Sequence, residues 1–354
     1  FDYKFYNSEL NYNLNFIFQE FQKILLNLEI YFTLILRLEK NLIYLRLSMK
    51  STKNDFLIKN SFTYNEKHYL LSLLEFYGYR NIYLHHAIFS NSEKFVFILP
   101  YNFEIEEPLF ISAYNKSNGE LHLFAKKNEG VSSFNYILYS TNNLTSIGNG
   151  IQYLGTDLNT SKMLFNCNPA LISKLIELNE YYVFTLKNEK FFKNLSDLKS
   201  RLNNDKKIKS YIASSKKDLF KLLNLQKGYL YEEMQYPEQI LSEKFLFLNL
   251  QKILKYYKLF YLEYDNKVVA KCEWNAFTDK IIQIGGVYVD PYFRNHGFAF
   301  TLLFNMLIFS FENLKIDEAS LFVRMSNQKA QKLYEKLLFE KYKDNLIWAI
   351  FKTN

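Results

Sequence analysis

The sequence predicts a chain of mixed α+β and α/β class, divided into two domains. Its 354 residues exceed one typical domain, and a chain of this length favours about two. Near the C-terminus, an apolar strand, a tight loop and a helix follow one another directly over residues 281–313. In residues 81–139, short apolar runs alternate with turn-rich stretches instead. We therefore predict an N-terminal α+β domain over residues 1–204 and a second domain over residues 205–354.

Composition supports two folded domains and excludes several other classes of protein. Hydrophobic residues make up 49% of the chain and aromatic residues 18%, which argues against disorder. Only 10 glycines and 5 prolines are present, which argues against a repeat or collagen-like chain. Cys167 and Cys272 lie far apart and fit no metal spacing, so we predict reduced thiols, no bound metal and a cytoplasmic location.

The charge pattern favours a small anionic ligand over nucleic acid or membrane. The net charge is +8, and residues 205–354 contain 23 Lys and Arg against 17 Asp and Glu. Basic residues do not cluster with interleaved aromatic residues, so we predict no nucleic-acid partner. The most apolar run, residues 24–38, contains Asn27, Glu29 and Arg37 and is shorter than the roughly 20 residues that a membrane span needs. We predict no membrane partner.

The N-terminal region is predicted to begin with helices and to continue with short strands. Its predicted helices cover residues 15–45 and 65–78. Its predicted strands are residues 82–85, 95–99, 109–113, 121–125 and 134–139. The polar stretch 200–209 is the predicted domain boundary.

The most informative stretch is the strand, loop and helix around Arg294. The strand Ile281–Val289 ends at Asp290-Pro291, because proline cannot extend a ladder of backbone hydrogen bonds. The chain then turns through Gly297 into a helix. Such a loop directs unpaired backbone N–H groups and the positive end of a helix dipole at one point, where an anion such as phosphate binds.

The spacing Arg294-x-x-Gly297-x-Ala299 resembles the coenzyme A pyrophosphate loop of the GNAT superfamily of N-acetyltransferases. Gly285-Gly286 interrupts the strand at the position of the family's β-bulge. Residues 327–339 resemble the family's second signature, Asn-x-x-Ala-x-x-Leu-Tyr followed by a closing Phe. Within this family, the chain is most similar to the glycine N-acyltransferase-like branch.

The resemblance implies a fold and a set of site residues. It implies a mixed, mostly antiparallel sheet flanked by helices in the C-terminal domain, and it makes a degenerate copy of that fold one interpretation of residues 1–204. Three positions depart from the family pattern, and one of them is His296, which stands where Lys or Arg is common. Asn295 stands where glycine is usual, and Asn tolerates a left-handed backbone. Leu338 replaces a glycine, so we expect the last turn of the final helix to differ.

The resemblance also implies acetyl-CoA as acyl donor and an amine as acceptor. The cofactor-binding residues it implies are Val287, Tyr288, Val289, Arg294, Asn295, His296, Gly297, Phe298, Ala299, Asn327 and Ala330. Tyr334 matches the general acid that protonates the departing thiolate.

The general base is not fixed by the resemblance. Glu273 alternates with Cys272 and Trp274 on a predicted strand and so faces away from them. Glu233 ends a predicted helix, and the resemblance implies that this helix end borders the acceptor side. Glu232 and a chain of water molecules remain alternatives. A module that binds acyl-CoA or protein without catalysis is the alternative function, and an aminoacyl transferase that uses charged tRNA is a second one. A homodimer is one possible assembly.

Overall fold

The structure, a computed structural model, describes residues 56–77, 82–90, 94–100, 110–116, 119–125, 134, 151–167 and 169–352. The chain forms two compact units. The first unit consists of Phe1–Leu74, Ala87–Leu178 and Ala349–Asn354, and the second of Glu75–His86 and Asn179–Trp348. The predicted helices over residues 15–45 and the predicted strand over 134–139 lie outside the described residues, apart from Phe134.

The first unit is built on a five-stranded sheet. Its strands are β1 Phe56–Lys59, β2 Phe95–Pro100, β3 Phe110–Asn115, β4 Glu120–Ala125 and β5 Tyr153–Asp157. Successive strands from β1 to β4 pair antiparallel, whereas β4 and β5 pair parallel. Ile98, Phe110, Leu154 and Leu164 are buried in its core.

Within the described residues, four helices accompany these strands in the sequence, and one of them corrects a prediction. They are α1 Tyr64–Tyr77, α2 Ile82–Ser90, α3 Leu158–Cys167 and α4 Pro169–Ser173. The prediction of a strand over residues 82–85 was wrong, because these residues begin α2. Periodicity cannot distinguish a short, wholly apolar strand from a buried helix, and Ile82, Leu84, Ala87 and Ile88 are all buried.

The second unit contains a seven-stranded mixed sheet. Its strands are β6 Leu175–Lys187, β7 Ile208–Ile212, β8 Leu259–Tyr264, β9 Lys267–Phe277, β10 Ile281–Val289, β11 Glu318–Arg324 and β12 Glu340–Phe351. Their order is β12-β6-β11-β10-β9-β8-β7. The strands from β7 to β10 pair antiparallel, and β10 pairs parallel with β11. This repeats the pairing pattern of the first unit, as a second copy of the same fold would.

Helices cover this second sheet. They are α5 Asn188–Lys193, α6 Leu195–Ser200, α7 Lys216–Glu232, α8 Glu243–Tyr256, α9 Phe298–Ile308 and α10 Gln328–Lys336, with a π-helical turn at Phe309–Asn313 after α9. The core on one face of the sheet contains Cys272, Trp274, Ile284 and Leu321 packed against α9 and α10. The other face packs Tyr261 and Tyr288 against α7.

The two helices before residue 204 contribute to the core of the second unit. Phe191 in α5 and Leu198 in α6 are fully buried there. The compact units divide between Leu178 and Asn179. A boundary at residue 204 stays a prediction, since compactness alone does not show where a domain can fold independently.

Local sequence signals explain where the helices begin. Helix α7 begins after Ser215, because Ser215 and Asp218 form a reciprocal capping box. Ser242 caps α8 in a similar way by accepting a hydrogen bond from the Phe245 N–H. The predicted bounds of β10 are also confirmed at Ile281 and Val289.

Candidate active site and cofactor cleft

The cleft of the second unit opens where β10 and β11 stop pairing. Parallel pairing joins residues 281–284 of β10 to residues 318–321 of β11. Beyond Ile284 and Leu321, the described strands continue without pairing to each other. Two adjacent strands that separate in this way leave backbone polar groups without ladder partners, and such groups require another partner.

The separation begins at the predicted β-bulge. The register between β9 and β10 shifts between Gly285 and Tyr288, which confirms a bulge at the glycine pair. Gly286 has φ +56°, and a Cβ atom there would lie 2.5 Å from the carboxyl carbon of Glu273. The missing side chain therefore lets the Glu273 carboxylate lie across the strand at the start of the cleft.

The backbone groups of Val287 and Val289 face the opened edge of β10. The Asp290 N–H donates to the Val269 carbonyl on β9. Alternate residues of a strand direct their backbone groups to opposite edges, so Tyr288 also faces β9 while Val287 and Val289 face the cleft. Of the three predicted strand residues, these two therefore have backbone groups available to an extended ligand.

The loop after β10 has the geometry that its sequence predicts. Asn295 and Gly297 have φ values of +66° and +78°, so the expected left-handed backbone at Asn295 is confirmed. Gly297 is the N-cap of α9, and its neighbours Asn295 and His296 are exposed. The first N–H groups of α9 lack acceptors within the helix, which makes this helix end a place for an anion.

Two contacts hold this loop in place from opposite sides. On the inside, the Phe298 side chain is buried in the core and anchors the loop there, and the adjacent Ala299 is half-buried. Only the backbone of Phe298 therefore faces the anion site. On the outside, Asn203 Nδ2 donates to the His296 carbonyl over 3.0 Å. A residue ahead of β7 thus fixes one peptide of the predicted phosphate loop.

Arg294 joins the loop to the end of α7. Its Nε donates to the Val289 carbonyl over 3.1 Å, and its guanidinium lies 2.6 Å from the Glu232 carboxylate. The Tyr288 hydroxyl donates to the other Glu232 oxygen over 2.7 Å. Burial raises the pKa of Glu232, but the hydrogen bonds from Arg294 and Tyr288 outweigh it, and this pKa lies below its usual value.

Helix α10 carries the predicted acid. Asn327 caps the helix by accepting a hydrogen bond from the Ala330 N–H over 3.1 Å, as predicted. Tyr334 lies one turn after the half-buried Ala330 and is buried. Burial raises the pKa of Tyr334, and Cys272 and Glu233 raise it further, so its hydroxyl stays protonated. A protonated phenol can donate a proton to a stronger base.

Glu273 lies in a pair that the sequence analysis did not anticipate. Lys271 Nζ contacts Glu273 Oε2 at 3.0 Å, and the ammonium also lies 4.6 Å from the ring centre of Tyr229. The Lys271 side chain is fully buried and that of Glu273 is 8% exposed. Within the described part of the chain, Glu273 Oε1 has no hydrogen-bond partner, so one carboxylate oxygen remains for a ligand.

The second predicted base, Glu233, lies at the end of α7 and is exposed. Its charge is one of the smaller causes that raise the pKa values of Tyr229 and Tyr334, after burial. Glu233 follows Glu232, whose carboxylate contacts Tyr288 and Arg294 just after the β10 bulge.

Neither a metal group nor a membrane helix is found in the described part of the chain. No three His, Cys, Asp or Glu residues there are grouped so that they could hold a metal ion. Among the described helices, none combines the length and the apolar character needed to cross a bilayer.

Comparison with known proteins identifies the second unit. Residues 217–339 match the model of the Acetyltransferase (GNAT) family. This part of the chain is a GNAT domain. No curated protein matches the chain. The comparisons do not single out the glycine N-acyltransferase-like branch, which stays a prediction.

Solved structures share the fold at low sequence identity. A Drosophila protein aligns over 82% of this chain and 89% of its own, with 12% identity and a TM-score of 0.51. A tandem GNAT protein from the clavulanic acid biosynthesis pathway aligns over 88% of this chain and 98% of its own, with 8% identity and a TM-score of 0.52. Both alignments are longer than the GNAT domain, so the similarity in fold includes part of the first unit.

The residues that sequence analysis missed were partly visible in the sequence. Strand alternation places Lys271 and Glu273 on one face, so the same argument that oriented Glu273 could have found its partner. Asn203 and Tyr229 give no such signal, because their contacts join elements that are distant in sequence.

Proposed function

We propose that the second unit transfers an acetyl group from acetyl-CoA to a primary amine of a small molecule or protein. Attack is direct, within a ternary complex. The observation that supports this proposal is the opening between β10 and β11, where the Val287 backbone and the Val289 N–H face away from β9 and lead to the helix end at Gly297. An extended chain with a pyrophosphate fits groups arranged in this order.

The loop residues have separate roles in this proposal. The backbone N–H groups from Asn295 to Ala299 hold the pyrophosphate, and the Arg294 guanidinium lies beside it. Val287 and Val289 bind the pantetheine amides through their backbone groups. Tyr288 packs below the strand, where its hydroxyl holds Glu232. Asn327 and Ala330 form the start of α10 on the other side of the cleft.

The chemical step requires one base and one acid. Glu273 Oε1 accepts a proton from the amine, whose nitrogen forms a bond to the thioester carbonyl carbon. As the carbon–sulfur bond breaks, Tyr334 donates its proton to the sulfur, so the products are an amide and a free thiol. Glu233 and a water chain are the alternative bases. The buried Lys271 side chain contacts the other oxygen of Glu273.

Thiol release in the presence of an amine panel tests this function. The wild type should release free thiol from acetyl-CoA, and Tyr334→Phe should lose most of that activity while still binding acetyl-CoA. Tyr342→Phe, on β12, is the matched control and should retain activity. Retained activity in Tyr334→Phe would remove the proposed acid from the mechanism.

One observation favours a binding module without catalysis. The Arg294 side chain already donates hydrogen bonds to Glu232 and Val289, so its donors have partners without a bound anion. If acetyl-CoA binds but no amine yields free thiol, the module becomes the better assignment. The division into a domain over residues 1–204 and an acetyltransferase domain over residues 205–354, the homodimer and the cytoplasmic location stay predictions.

A further inference from the structure

The face of the second sheet that carries Glu273 also carries a group of aromatic rings. On β11, Leu321 and Val323 belong to the core on the opposite face, so Phe322 and Arg324 lie on the same face as Glu273. Tyr83 of α2 packs on this face, with its ring 5.8 Å from Phe322 and 6.2 Å from Trp348.

Two further tyrosines complete the group. Tyr181 on β6 accepts a hydrogen bond from Arg324 Nε over 3.3 Å. Tyr229 belongs to α7, and its ring contacts the Lys271 ammonium on β9. Tyr83, Tyr181, Tyr229, Phe322 and Trp348 are all half-buried. We refer to these five residues as the aromatic wall.

The electrostatics of Tyr229 agree with this grouping. Burial raises the pKa of Tyr229, and Glu273, Tyr83, Glu233 and Tyr181 all raise it further. The shared face of the sheet and the ring contacts place these rings on the side of the sheet that carries Glu273. A region of rings and carboxylates attracts a cation and offers apolar surface to the rest of the ligand.

Lys271 shows that this region already binds one ammonium group. That ammonium lies 3.0 Å from a Glu273 oxygen and 4.6 Å from the Tyr229 ring centre. The second Glu273 oxygen lies at the glycine bulge, on the side of the cleft. An amine bound there would contact a carboxylate oxygen and aromatic rings, which are also the partners of the Lys271 ammonium.

We propose that the acceptor is a primary amine on an aromatic or other flat apolar group, with its nitrogen beside Glu273 and its body against the aromatic wall. This inference rests on the proposed function and adds the substrate class to it. A polyamine such as spermidine and a small amino acid such as glycine have no flat apolar group to place against these rings. Both are therefore poorer acceptors.

Acceptor competition tests the substrate class. Thiol release from acetyl-CoA should be fastest with 2-phenylethylamine, slower with spermidine and slowest with glycine. Phe322→Leu should raise KM for 2-phenylethylamine about tenfold, which corresponds to about 1.4 kcal/mol of lost binding. It should leave KM for acetyl-CoA unchanged.

The control is Phe220→Leu, the same change on the exposed side of α7, where Phe220 stacks on Phe247 at 4.8 Å. It should leave both KM values unchanged. A preference for spermidine or glycine, or an unchanged KM in Phe322→Leu, would overturn the substrate class while leaving acetyl transfer intact.

Direct binding separates this inference from the proposed function. If no amine yields free thiol, calorimetric titration of 2-phenylethylamine into the protein loaded with acetyl-CoA still tests the wall. Binding that weakens in Phe322→Leu supports it, and the absence of binding overturns it.

Discussion

At the scale of single residues, Gly286 and Gly297 both have a left-handed backbone conformation, but their surroundings differ. A Cβ at Gly286 would collide with the Glu273 carboxylate, whereas a Cβ at Gly297 would meet only Asn203 at 3.8 Å. We expect Gly297→Ala to lower the free energy of unfolding by about 1–2 kcal/mol, the cost of a left-handed backbone.

Gly286→Ala should cost more than that, since Glu273 must also move. It should therefore reduce thiol release at saturating acetyl-CoA beyond what its stability loss explains. Urea unfolding and the thiol assay measure the two effects. Equal stability losses in the two variants would show that Glu273 does not lie across the bulge.

Glu318 at the start of β11 gives stability a pH dependence. Burial raises its pKa to about 7. The folded protein favours the protonated Glu318 carboxyl. Its contribution to the free energy of unfolding is therefore fully present below the unfolded pKa near 4.5 and is lost as pH rises through about 7. Glu318→Gln should flatten this part of the stability profile in urea unfolding between pH 4 and pH 8.

The control for this profile is Glu312→Gln, an exposed carboxylate near the end of α9. Its profile should follow that of the wild type. A wild-type stability that rises from pH 5 to pH 7, and a Glu318→Gln profile with the same slope, would contradict the assignment.

Residue-level features were predictable where local chemistry decides them. The positive φ of Asn295 followed from its place in the loop. The positive φ of Leu338, +69°, did not, because replacing a glycine suggested a changed turn. The Leu338 N–H donates to the Glu335 carbonyl and the Leu338 carbonyl accepts from Lys190, so contacts hold the backbone that glycine would adopt freely.

At the scale of elements, the capping box of α7 should contribute measurably to stability. Ser215→Ala removes the side chain that accepts from the Asp218 N–H and should cost about 1 kcal/mol. The adjacent Ser214→Ala is the control, because Ser214 contacts Asp218 through its backbone N–H. If the two changes lower the thermal unfolding temperature equally, the Ser215 side chain does not stabilise α7 as a cap.

The connection between α7 and the loop after β10 should affect cofactor affinity. Glu232 places a negative charge next to Arg294, which opposes the approach of a pyrophosphate. We expect Glu232→Gln to bind acetyl-CoA several-fold more tightly in calorimetry. Weaker binding would instead show that Glu232 holds Arg294 in the orientation that binding needs.

Elements of the second unit were largely predictable, and their tertiary contacts were not. The bounds of β10, the caps of α7 and α10 and the bulge at Gly285-Gly286 follow from residue type and spacing. The pairing of Glu232 with Arg294 depends on how α7 packs against the sheet. Helix α2 was missed because its apolar run is too short for periodicity to distinguish a strand from a buried helix.

At the scale of the whole molecule, the two units repeat one strand pattern but differ at the parallel pair. In the first unit, the Thr156 hydroxyl donates to the Leu123 carbonyl over 2.8 Å, just after the paired residues of β4 and β5. The pairing of β3 with β4 shows no register shift, in contrast to β9 and β10. We therefore expect one acetyl-CoA per chain, and calorimetry that gave two sites would contradict this.

The domain organisation was the least predictable feature. Composition marked a polar boundary near residue 204, but Phe191 and Leu198 are buried in the second unit. Their contacts join segments far apart in sequence, and local composition does not record such contacts.

Calorimetric titration of acetyl-CoA into the wild type and into Gly297→Glu tests the central claim most directly. The substitution places bulk and negative charge at the start of α9. Asn313→Glu, at the end of the π-helical turn that follows α9, makes a matched change of charge. We predict micromolar binding by the wild type and by Asn313→Glu, and no binding by a folded Gly297→Glu. Failure of the wild type to bind, or full binding by Gly297→Glu, would contradict the cofactor site and the acetyltransferase function built on it.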